Sequence, residues 1–113
     1  MDSVGQRERR RSRRVHMKQA LRVRPANPKD GRFEEVGTTK DVSQDGVYFV
    51  TKSEVYYEGM GLFVVVPYYP YAPQQSYEYF GQVVRVEQLE NNERGIAISF
   101  RFSPAKKSKN QIV

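Results

Sequence analysis

Apolar and polar residues alternate along most of this chain with a period of two, the spacing of a half-buried β-strand, and no segment carries a long helical period. The cleanest case is GIAISFRF over 95–102, which sets Ile96, Ile98, Phe100 and Phe102 on one face and Ala97, Ser99 and Arg101 on the other. Ahead of it, YEYFGQVVRVEQL (77–89) reads as a strand, and NNERG as the turn that joins the two. Near the other end, VHMKQALRVR (15–24) alternates loosely and stops at a turn marked by Pro25, Asn27, Pro28 and Gly31. RFEEVGTTKDV (32–42) follows as a second strand, with Phe33, Val36 and Val42 as core contacts. DGVYFVT (45–51) is a third, rich in β-branched and aromatic residues. GMGLFVVVPY (59–68) is a fourth, with Leu62, Val64 and Val66 on one face. Prolines 67, 70 and 73 make PYYPYAPQQS a loop, and Tyr68, Tyr69, Tyr71, Tyr77 and Tyr79 are expected to cover one end of the fold with apolar rings and wet hydroxyls. SPAKKSKN (103–110) offers at most one turn of helix. Six short strands punctuated by turns predict an all-β barrel or sandwich.

Composition narrows what such a fold could do. At 113 residues the chain is one domain with one modest core, and a hydrophobic fraction of 38% leaves the ends outside it. Cysteine is absent, which excludes a disulfide framework, a thiolate metal site and a thiol nucleophile. His16 is the single histidine; it speaks against a His-rich metal site or a Ser-His-Asp triad and reads as a solvated side chain at the start of a strand. The longest apolar run, Leu62–Val66, is far short of the roughly 20 residues of a membrane span, and the charged N-terminus has no hydrophobic stretch behind it. A soluble, cytoplasmic protein with no membrane insertion is expected. No set of metal ligands, activated nucleophile or paired carboxylates forms a recognisable motif, so neither an enzyme nor a cofactor is expected.

Charge is segregated. Residues 1–24 carry nine basic and two acidic side chains, a net of +7, including six arginines between Arg7 and Arg14. Residues 25–105 carry a net of −4, and the tail from Lys106 adds three lysines. Like charges in so short a run repel and keep it extended until something neutralises them. The organisation expected is a flexible arginine-rich arm over 1–14, a barrel over 15–103 and a short basic tail over 104–113.

Two motifs give the arm a purpose. DVSQDG (41–46) fits Asp-x-Ser-x-x-Gly, alone no more than a strand-ending turn. An Arg-x-x-x-Arg pair, Arg10 and Arg14, stands directly before the first strand, and GVYFVT, GQVVR and RGIAISF follow the turn. In this order the features resemble the PilZ domain family, over roughly residues 7–103. The resemblance implies a six-stranded antiparallel β-barrel that binds the bacterial second messenger cyclic di-GMP. It implies ligand contacts from Arg10, Arg14, Asp41, Ser43 and Gly46. Arg9, just before the pair, adds a contact that many members use to take up a stacked dimer, so that one molecule of ligand and a stacked dimer are both open. Arg7/Arg11 and Arg9/Arg13 share the spacing and keep the register of the pair open. Many family members continue into a C-terminal helix, which this sequence does not show.

The residue types suit that ligand on chemical grounds. A guanidinium fork matches both a phosphate and the O6/N7 edge of guanine. A carboxylate at Asp41 accepts from guanine N1–H and N2–H₂, a donor pair adenine lacks. Ser43 can bond the turn or the ligand, and Gly46 lets the backbone approach closely or adopt an angle closed to other residues. Ligand that neutralises the arm and clamps it to the barrel would then signal to a downstream protein partner. Two other readings stay open: a nucleic-acid-binding barrel with a basic arm, less favoured because GVYFV has no basic neighbour except Lys52, and a PilZ-like adaptor that binds no nucleotide.

Overall fold

A computed structural model of the chain describes residues 15–101. Its strands are β1 (Val15–His16), β2 (Ala20–Pro25), β3 (Glu35–Ser43), β4 (Gly46–Thr51), β5 (Gly61–Val65), β6 (Glu78–Gln88) and β7 (Arg94–Phe100). Short 3₁₀ turns at Pro28–Asp30 and Pro73–Gln75 are the helical segments among the described residues. Every pairing is antiparallel, in the order β3–β2–β5–β6–β7–β4, and β4 returns to β3 to close a six-stranded barrel. The two-residue β1 lies in line with β2 along the same edge of β3, on its C-terminal half, through Val15↔Val42 and His16↔Asp41. The expected all-β, six-stranded antiparallel barrel is the observed fold. The arm assigned to 1–14, the tail at 104–113 and Phe102 lie outside the described residues.

Alternation fills the barrel as the sequence suggests. Leu62, Val64 and Val66 from the β5 segment meet Leu21 and Val23 of β2, Val83 of β6, Ile96 and Ile98 of β7, and Val47 and Phe49 of β4 in one buried core. Phe33, Val42 and Phe100 pack against it. One end is closed by Tyr56, whose ring meets Phe33 and Phe49 edge-on at 5.7 Å. Its hydroxyl donates to Glu35 Oε1 and Thr51 donates to Glu35 Oε2, each at 2.6 Å, which gives this carboxylate two short bonds. Burial, then the bond to Glu35, pushes the Tyr56 hydroxyl far above its ordinary range. Asn91 and Asn92 take φ 62° at the β6–β7 hairpin, where the twist of the strands favours left-handed residues.

Two expectations are corrected. The stretch 15–24 is two strands rather than one, because one extra residue over Met17–Gln19 breaks the ladder. The Thr39 hydroxyl fills the gap: it donates to the Met17 carbonyl at 2.6 Å and accepts from the Gln19 amide at 3.0 Å. Val36 is not a core residue but is 60% exposed, since Glu35 takes the inward position at that end of β3. Among the tyrosines, Tyr79 stacks on Phe100 at 4.3 Å as a cover should, whereas Tyr71 is 98% exposed.

Candidate functional site

The motif residues meet because two strands are bulged. β3 shifts register between Thr39 and Asp41, and β6 between Val83 and Arg85. An extra residue reverses which positions face inward, so Thr39 and Val42 both point to the core while Asp41 turns to the outer wall. The same device turns Arg85 outward after the buried Val83. Cross-strand partners then form a row over the outer face: His16↔Asp41, Asp41↔Tyr48, Tyr48↔Ala97 and Ala97↔Arg85. A cavity of about 200 Å³ opens along this row, lined by Asp41, Ser43, Gly46, Tyr48, Arg85 and Ser99 among others.

Each motif residue has a visible local role. Ser43 and Gly46 face each other across a two-residue turn, and Ser43 Oγ accepts from the Asp45 amide at 3.0 Å. Gly46 is required by close approach and not by a left-handed angle: a Cβ there would run into the Ile98 carbonyl oxygen across β7. Asp41 is largely shielded, with 15% of its side chain exposed, and its Oδ1 is bonded to Nδ1 of His16. His16 is thus solvated as expected, at 90% exposure, but it is also the partner of the motif carboxylate. Arg9, Arg10 and Arg14 fall outside the described residues.

Sequence reasoning missed Tyr48, Arg85 and Glu87. The Tyr48 ring lies across Gly95, where a Cβ would collide with it, and its hydroxyl donates to Glu87 Oε1 at 2.7 Å. Arg85 Nε donates to Glu87 Oε2 at 2.8 Å, and its guanidinium stands 6.0 Å from the Tyr48 ring centre. Burial, then the bond to Glu87, raises the Tyr48 hydroxyl; that bond, helped by Arg85, holds the Glu87 carboxyl below the usual range. A signal for Tyr48 was present: a two-residue turn after Ser43 sets Asp41 opposite Tyr48. Among the described residues no group of side chains could hold a metal ion, and no helix is long and apolar enough to cross a membrane.

Fold and site together define a small antiparallel β-barrel with a partly polar cavity on its outer wall. The PilZ domain model matches residues 8–113, and the chain belongs to the PilZ domain family, whose members are binding and receptor domains rather than enzymes. Among solved structures the chain is similar to the Bacillus subtilis inhibitor of motility (MotI/DgrA), with a TM-score of 0.63 and 15% identity over 85% of this chain and 44% of that one. The chain therefore spans less than half the length of that protein, and the likeness is one of fold. Among curated proteins nothing matches it.

Proposed function

We propose that this protein is a cyclic di-GMP receptor whose arginine arm and Asp-x-Ser-x-x-Gly turn hold the dinucleotide between them. One observation carries the reading: Asp41, Ser43 and Gly46 line a single cavity, and the strand that follows Arg14 in sequence is paired to β3 at Val42 and Asp41. The arm is continuous in sequence with the strand beside the cavity, which tethers its arginines to this wall. The cavity accommodates one base. Asp41 takes the N1–H and N2–H₂ edge of that guanine, while arginine forks take phosphates and the O6/N7 edge. Arg85, at the far end of the row, adds a cation on the same wall. His16 occupies Asp41 Oδ1 and gives way when guanine arrives.

Each bidentate base contact contributes about 1–3 kcal/mol of discrimination, and several together reach micromolar affinity, about −8 kcal/mol, after the cost of ordering the arm. With residues 15–24 already in the barrel, the arm over 1–14 carries a net of +4 and residues 15–103 a net of −1; drawing the one onto the other changes both shape and surface charge, a difference a partner protein can read.

The test is a calorimetric titration of cyclic di-GMP at about 150 mM salt, where loose phosphate attraction is largely screened. Micromolar or tighter binding is expected, weakened about tenfold or more in Arg10→Ala, Arg14→Ala and Asp41→Ala, and absent for cyclic di-AMP. His16→Ala is expected to bind more tightly than wild type, because Asp41 is then unoccupied. A folded wild-type chain that gives no heat with cyclic di-GMP removes the receptor reading, and the molar ratio decides between one ligand and a stacked pair.

A further inference from the structure

A second cavity lies on the other side of the ring, between β2, β5 and the proline–tyrosine loop. It measures about 260 Å³ and is lined by Arg22, Val65, Tyr68, Pro70, Pro73, Ser76 and Glu78. Val65 points away from the core yet is only 7% exposed, because the loop folds back over it. The loop is pinned there: the Tyr68 amide donates to the Ala20 carbonyl at 2.8 Å and the Tyr69 amide to Ser76 Oγ at 3.2 Å.

The charges of this cavity are unevenly matched. Glu78 is paired with Arg24 at 3.1 Å. Arg22 has no ion-pair partner among the described residues, and its Nε is buried without an acceptor. Its guanidinium sits 5.1 Å from the ring centre of Tyr68, a cation–π distance, and lines the cavity. With the lining Glu78 neutralised by Arg24 beside the cavity, Arg22 is left as its one uncompensated charge, which fits a monoanion better than a phosphate dianion. The walls of Val65, Pro70 and Pro73 are apolar, and a cavity of about 150 Å³ already holds a benzene ring.

We propose that this cavity is a second ligand site, which takes a single carboxylate carried on an aromatic body, with Arg22 receiving the anion and the proline-lined wall receiving the ring. The ligand is either a free aromatic acid or the C-terminal aromatic residue of a peptide. The proposal stands independently of the cyclic di-GMP reading, since the two cavities share no residue.

The experiment is a proton–nitrogen correlation titration of the full chain with phenylacetate to about 20 mM, a range suited to a fragment of about ten heavy atoms. Amide shifts at Arg22, Val65, Tyr68 and Ser76 are expected to saturate with phenylacetate, to be small with the uncharged benzyl alcohol, and to vanish in Arg22→Gln. Val65→Phe, which fills the cavity and keeps both the arginine and the Ser76 hydroxyl that pins the loop, should abolish them too, so a folding defect in one variant does not decide the matter. Equal shifts from acid and alcohol would make this an apolar cleft and overturn the proposal, as would no shift at these amides. Acetyl-Gly-Gly-Phe as free acid and as amide separates the sources: binding about tenfold tighter than phenylacetate by the acid alone points to a chain terminus, and weaker binding to a free acid.

Discussion

Asp41 and Glu87 show how one wall of a barrel holds two carboxylates in different ways. Asp41 meets an exposed histidine from a neighbouring strand, a partner that can leave without disturbing the core. Glu87 accepts from the Tyr48 hydroxyl and from Arg85, and the first of these bonds is the main reason its carboxyl titrates low. A carboxylate with a lowered folded-state pKa contributes stability above its unfolded pKa, and that contribution is lost as pH falls through the folded value. Tyr48→Phe is therefore expected to move the Glu87 midpoint up toward the ordinary glutamate range and to flatten the acid limb of stability. Carbon-detected titration of the Glu87 carboxyl checks this; an unmoved midpoint would assign the shift to Arg85. The motif residues were legible because Asp, Ser and Gly sit at a spacing that a turn explains. Their neighbours Arg85 and Glu87 were not, since they come from β6, three strands later in the chain, and meet the motif only through strand register.

Elements were read mostly correctly where alternation is regular, as over β5 and β7, and less well where a bulge reverses it. Val36 was assigned inward with Val42, but the register shift after Thr39 means that both cannot face the core. No periodicity argument sees a single inserted residue, nor the hydroxyl of Thr39 that bridges the gap between β1 and β2. The β3–β4 hairpin depends on a different detail, the absence of a side chain at Gly46 where β4 approaches β7. Gly46→Ala is expected to push the two strands apart at a cost of about 1–3 kcal/mol, measured as a lower urea midpoint with little change in slope. A midpoint equal to wild type would move the requirement for glycine from the fold to the ligand.

Across the whole molecule, the basic ends beside a nearly neutral barrel are the asymmetry on which the proposed signal rests. If ligand clamps the arm, amide hydrogen exchange over residues 7–14 is expected to slow about tenfold or more with saturating cyclic di-GMP while the barrel core changes little. Unchanged exchange in the arm, with binding intact, would remove the arm from signalling without touching the receptor reading. Composition made this asymmetry plain, whereas the second cavity was hidden, since it needs the loop after β5 to fold back over β2. The placing of β1 also has a mechanical consequence. The ring of strands closes without it: β1 runs ahead of β2 along the same edge of β3, held by two residue pairs and by the bonds that Thr39 and Lys40 make across the gap. Tension applied through the N-terminal side therefore meets a weak strip first, which can peel away while the can stays shut. The molecule can let go at its seam and keep its core dry.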